Sequence, residues 1–182
     1  MKAIGIVAST GGPQALAQVL GGLPKGFAVP VLVAQHRVDG STAAFVRSLA
    51  GRTPLPVLIA AAGDRALPAV YFAPDGCDLG IDRAGRLEVS PTQDWTHSGD
   101  RLLQSLASSC GSGGCGVVLT GLGDDGAAGL LAVREAGGFT VAQESSGAIA
   151  SSMPDSARPA ALQVAPLNTI SKLLLQHFGG KR

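Results

Sequence analysis

Ala3-Ile4-Gly5-Ile6-Val7-Ala8-Ser9-Thr10-Gly11-Gly12-Pro13 opens the chain with an apolar run of strand length, a serine and a glycine-rich turn. The run is continuous, not alternating, which is the pattern of a strand buried on both faces of a parallel sheet. Two later stretches repeat the arrangement. Ala28-Val29-Pro30-Val31-Leu32-Val33-Ala34 leads to Gln35-His36, and Gly116-Val117-Val118-Leu119-Thr120 leads to Gly121-Leu122-Gly123-Asp124-Asp125-Gly126. Open parallel sheets gather their functional groups at the carboxyl ends of the strands, so these separated residues are predicted to meet at one sheet edge. A serine, a histidine and a carboxylate are the groups that nucleophilic acyl chemistry requires.

The intervening segments read as the helices of an α/β fold. Pro13 suits the first turn of a helix through Leu20, with Leu16, Val19 and Leu20 apolar and Gly21-Gly22 as the stop. Ser41 is placed to cap a helix through Leu49 that carries Phe45, Val46 and Leu49 inward. From Pro54 to Val89 the runs shorten (57–60, 69–73, 79–81 and 87–89) and alternate with Gly, Pro and Asp, which predicts hairpins or edge strands. A polar loop over 90–97 holds the only Trp. A helix over 98–108 follows, with Leu102, Leu103 and Leu106 on one face. A helix opened by Asp124 or Asp125, a strand over 140–143 and a last helix over 167–177 complete the reading. The expected fold class is α/β: a three-layer α/β/α domain with a mostly parallel, Rossmann-like central sheet and a short antiparallel hairpin region.

Composition narrows the function classes. With 182 residues, 46% hydrophobic and 15% charged, the chain is long and apolar enough for one domain over 1–182. A net charge of +1 without a long run of one sign gives no reason to expect nucleic acid or an anionic membrane surface as partner. No apolar run reaches the roughly 18 residues of a membrane span, and Met1-Lys2 leads straight into a strand, so a cytoplasmic protein without membrane insertion is expected. Three cysteines, Cys77, Cys110 and Cys115, lack the spacing of a disulfide framework or zinc site.

Each site residue has a plainer reading beside the chemical one. Ser-Thr-Gly-Gly also describes a helix-opening turn capped by Ser9 or Thr10. It lacks both G-x-G-x-x-G and the Walker pattern with its lysine. His36 alone among the three histidines follows a buried strand, whereas His97 lies in a loop and His177 in the final helix. It is therefore the better general-base candidate, with a packing histidine as the alternative. Of Asp124 and Asp125, one can cap a helix while the other orients His36; two carboxylates are too few for a metal site.

Ala8-Ser9-Thr10-Gly11-Gly12, Gln35-His36 and Gly121-Leu122-Gly123-Asp124-Asp125-Gly126-Ala127 together resemble the catalytic domain of the chemotaxis protein-glutamate methylesterases (CheB type). The resemblance extends to Leu67-Pro68, Val70-Tyr71-Phe72-Ala73-Pro74, Ser98-Gly99-Asp100, Ala142-Gln143 and Met153-Pro154 with Ala157, so it spans nearly the whole chain. It implies Ser9 as nucleophile, His36 as general base and Asp125 as the orienting acid, with no cofactor. Backbone N–H groups near Thr10 and Leu122 are the expected oxyanion donors. The implied reaction is hydrolysis of glutamate methyl esters on the cytoplasmic region of methyl-accepting chemoreceptors, releasing methanol, and in some members glutamine deamidation. Val7, Leu122 and Asp124 stand where the family usually has Gly, Met and Asn, and Trp95-Thr96-His97-Ser98 replaces a His-Arg-Pro-Ser stretch. No receiver domain of the kind that regulates many relatives is read in 1–182. A catalytically weak binding module and a general small-substrate esterase are the competing expectations.

Overall fold

A computed structural model of the chain describes residues 1–36 and 41–179. Its centre is a seven-stranded sheet built from β1 (Ala3–Ala8), β2 (Val31–Gln35), β3 (Val57–Ile59), β4 (Val70–Phe72), β7 (Gly114–Val118), β8 (Phe139–Gln143) and β9 (Gln163–Ala165). The order is β3-β4-β2-β1-β7-β8-β9, and every pairing is parallel. A separate antiparallel hairpin joins β5 (Cys77–Ile81) to β6 (Leu87–Pro91). Strand order reverses at β1, between β2 and β7, which is where a doubly wound sheet opens its crevice.

The continuous apolar runs have the cause expected of them: both faces of the sheet are covered. All six residues of β1 are buried. Ile4, Ile6 and Ala8 point into one apolar layer with Leu16 and Leu20 of α1 (Gly12–Gly21), Val46 and Leu49 of α2 (Thr42–Ala50), and Ile170 and Leu174 of α6 (Leu167–Phe178). Ala3 and Val7 point into the other, with Leu102, Leu103 and Leu106 of α3 (Ser98–Cys110), Leu130 and Val133 of α4 (Ala127–Glu135) and Met153 of α5 (Ser152–Ala157). Each fully buried leucine contributes about 1.5–3 kcal/mol of transfer free energy, so the two layers hold the sheet edge in place. Among the described residues, no helix is long and apolar enough to cross a membrane.

The structure corrects the sequence reading at three places. Of the hairpins or edge strands expected over 57–89, the run over 57–60 supplies the edge strand β3, the run over 69–73 supplies β4 inside the sheet, both paired in parallel, and only β5 and β6 form the hairpin. Their three-residue length hid the distinction, since β3 leaves Leu58 and Ile59 exposed at an outer edge. β7 runs over 114–118, two residues earlier than the 116–120 expected, because Gly114 pairs with β1 and Cys115 with both β1 and β8, while Leu119 and Thr120 lie past the last paired residue. Helix α5 and strand β9 were not anticipated: six and three residues are too short for a periodic signal.

Candidate active site

Ser9 and His36 are brought together by strand register. Ala8 of β1 lies opposite Gln35 of β2, and the His36 N–H donates to the Ala8 carbonyl at 3.0 Å. The next residue on each strand is therefore Ser9 and His36, on backbones about 4.8 Å apart in a paired sheet. Gln35 ties them further, its Nε2 donating to the Ser9 carbonyl at 3.0 Å and to the His36 carbonyl at 2.8 Å. No hydrogen bond joins the Ser9 hydroxyl to the imidazole in this structure, as is common before substrate tightens such a site.

Asp125 reaches the same edge from the turn after β7. Its Oδ2 lies 2.7 Å from His36 Nε2 and also accepts from the Gly99 N–H at 2.8 Å, while Oδ1 accepts from the Asp100 N–H at 2.8 Å. An ionised carboxylate only accepts, so Nε2 carries the imidazole proton and Nδ1 keeps the lone pair. The carboxylate is 2% exposed and the imidazole 10%, so neither depends on solvent for its orientation. Asp125 thus caps α3, a helix distant in sequence, instead of the helix it introduces. Gly99 permits this approach: a Cβ there would sit 2.3 Å from Val7 Cγ1 and 2.7 Å from Asp125 Oδ2.

Thr10, next to the serine in the chain, is exposed, and Leu122, in the turn after β7, has 64% of its surface open. Among the described residues, neither backbone N–H has a protein acceptor. Thr120, not singled out by sequence reading, locks this turn. Its carbonyl accepts from the Ser9 N–H at 3.0 Å and its hydroxyl donates to the Thr10 carbonyl at 2.9 Å. Gly121 makes room beside it, since a Cβ there would lie 2.8 Å from Ser9 Cβ and 2.1 Å from Met153 Sδ.

A cleft runs from His36 toward β4 and the hairpin, with Thr42, Asp75, Cys77, Trp95 and Ser98 on its walls. The Trp95 ring stands edge-on to the imidazole, centroids 5.6 Å apart and planes at 90°. Its segment is held by side chains: Asp94 accepts from the Thr96 N–H at 2.9 Å and lies 2.8 Å from His97 Nδ1, and Arg101 donates to the Asp94 carbonyl. Thr96 and His97 donation holds the Asp94 carboxyl at about 2, and Asp94 in turn raises the His97 imidazole above its usual value. His97 therefore serves its own loop. His177 is exposed, its ring stacked on Phe139 at 4.4 Å. Burial raises the Cys110 and Cys115 thiols, keeping both as neutral packing groups.

Four contributors were not assigned roles by sequence reading: Gln35, Trp95, Asp100 and Thr120. An amide next to a strand-end histidine and an acid in a helix's first turn were the available signals. The Trp95 contact had none, because it depends on how a loop packs.

Residues 4–174 match the family model described as CheB methylesterase. The chain is 49% identical over 176 residues to protein-glutamate methylesterase/protein-glutamine glutaminase 3 of Myxococcus xanthus (strain DK1622), covering 94% of this chain and 50% of that protein. It is 40% identical over 175 residues to the protein-glutamate methylesterase/protein-glutamine glutaminase of group 3 operon of Rhizobium meliloti (strain 1021), covering 93% and 49%. The chain spans about half the length of these curated relatives. The crystal structure of the Thermotoga maritima CheB methylesterase catalytic domain matches with a TM-score of 0.89 at 30% identity, covering 97% of this chain and 98% of that one. The family-model match over nearly the whole chain, the identity to these relatives and the structural superposition agree, and the chain belongs to the CheB methylesterase family.

Proposed function

We propose that the chain is a serine hydrolase domain that removes methyl groups from glutamate γ-methyl esters on the cytoplasmic region of chemoreceptors. The observation that carries the reading is the buried Asp125–His36 hydrogen bond beside Ser9, at the carboxyl edge where β1, β2 and β7 end. His36 Nδ1 would take the Ser9 proton as the hydroxyl oxygen attacks the ester carbonyl. The N–H groups of Thr10 and Leu122 are the donors for the resulting oxyanion. Collapse returns the proton to the methoxy oxygen, methanol leaves, and a water molecule deprotonated by His36 hydrolyses the acyl-enzyme. The same steps on a glutamine side chain expel ammonia, which accounts for deamidation as the companion activity. The chemistry needs no cofactor, and the cytoplasm, where the receptor's methylated region lies, is the proposed compartment.

Methanol release from a methylated receptor cytoplasmic fragment tests this directly. The parent chain is expected to release methanol, and Ser9→Ala to lose about 10⁴-fold or more of the rate. Release that survives Ser9→Ala, or none by the parent, refutes the reading. Turnover of simple acyl esters with an inert receptor fragment assigns a general esterase instead.

A further inference from the structure

Helices α3 and α4 exchange caps across the site. Asp125, just before α4, accepts from the Gly99 and Asp100 N–H groups at the start of α3, both at 2.8 Å. Asp100, in the first turn of α3, returns the exchange: its Oδ1 accepts from the Gly126 N–H at 3.0 Å and the Gly129 N–H at 2.7 Å at the start of α4. The first N–H groups of a helix have no partner within it, and the N-cap of α4 is Gly126, which has no side chain to offer. Asp100 supplies what Gly126 lacks.

The Gly126 N–H belongs to the peptide unit that leaves Asp125. Holding it fixes the backbone from which the Asp125 side chain springs, while the Asp100 N–H holds one oxygen of that carboxylate. The two aspartates thus close a ring of hydrogen bonds, and the remaining direction of the Asp125 carboxylate is toward His36 Nε2. We propose that Asp100 is the positioning residue of this site: it aims Asp125 at the imidazole by capping α4, through its acceptor oxygen and not through its charge. Among the described residues, the Asp100 side chain makes its hydrogen bonds to the start of α4 alone. Burial, and after it the neighbouring Asp125 carboxylate, push the Asp100 carboxyl above the usual range, so a neutral acceptor of the same shape is suited to the position.

The proposal rests on the Ser9-His36-Asp125 reading, and its test separates the two. Asp100→Ala and Asp100→Asn are compared with the parent by kcat and KM for methanol release from the methylated receptor fragment, and by proton NMR of the low-field His36 Nε2–H resonance without substrate. Asp100→Ala is expected to lower kcat about 10- to 100-fold with KM within about twofold, and to shift or erase the low-field resonance. Asp100→Asn, which keeps an acceptor oxygen, is expected to restore most of the rate and the resonance. Asp100→Asn as defective as Asp100→Ala, or Asp100→Ala with parental rate and resonance, overturns the proposal. If Asp100→Ala does not fold, Asp100→Ser replaces it, its hydroxyl too short to reach both amides; an unchanged resonance there is equally fatal. A parent that releases no methanol defeats the hydrolase reading and leaves the resonance to decide the positioning role.

Discussion

The imidazole of His36 is gripped from two sides by regions of opposite character. At its Nε2 edge stand two helix N-termini, where the donors are backbone N–H groups and the carboxylate is 2% exposed. At its ring stands the segment over 92–97, where Trp95 is 62% exposed and the supports are exchanged between side chains, the Asp94–His97 pair roughly half open to water. Buried backbone donors cannot rotate away and have no water to replace them. Exposed side-chain pairs are screened and compete with solvent. The tautomer of His36 is therefore fixed by the first region, while the second sets only what covers the ring.

Removing the buried acceptor should give the largest effect on that contrast. Asp125→Ala strands the Gly99 and Asp100 N–H groups and leaves the imidazole free to turn, so ester hydrolysis is expected to fall about 10³- to 10⁴-fold. Unfolding free energy should fall by about 2–4 kcal/mol in denaturant titrations. Near-parental turnover would break the claim that the buried side controls the base.

A smaller effect is expected from crowding the same region without deleting a group. Gly99→Ala drives a methyl into Val7 and the Asp125 carboxylate, and overpacking of this kind costs about 1–3 kcal/mol. Equilibrium unfolding measures it, and an unchanged stability would show that α3 is free to move away from β1.

The exposed side should respond least, and to pH. The lowered Asp94 value means its contacts are fully present above the ordinary carboxylate value of 3.8 and are lost as pH falls toward about 2. The raised His97 value means its contribution is fully present below its ordinary 6.5 and is lost as pH rises through the folded value. The loop is thus held most firmly between these limits, at mildly acid pH. Trp95 is the sole tryptophan, so its fluorescence reads the loop directly. Asp94→Asn is expected to flatten the alkaline limb of the fluorescence titration with little change in melting temperature. A titration identical to the parent's would remove His97–Asp94 as the loop's tether.

Much of this arrangement was legible in the chain. The continuous apolar run of β1 announced a parallel sheet covered on both faces, because only a strand without a solvated side dispenses with alternation. Ser9, His36 and the Asp124-Asp125 pair drew attention because each lies beyond such a run, and the family resemblance singled out Asp125. For the short strands β3 and β4 the choice between hairpin and edge strand stayed open because three residues carry no period, and their parallel pairing depends on partners elsewhere in the sheet.

Sequence by itself determined the layer architecture and which side chains end at the carboxyl edge, since apolar periodicity and turn chemistry are local properties. Tertiary structure alone decided where each carboxylate points. Of Asp124 and Asp125, one was expected to cap the helix they introduce while the other orients His36; Asp125 lies against His36 while capping α3, and Asp100 caps α4 in return. Such an exchange joins residues 25 or more positions apart, and no local pattern encodes it. Unpaired N–H groups at a helix start donate to whichever oxygen the packing of two helices delivers.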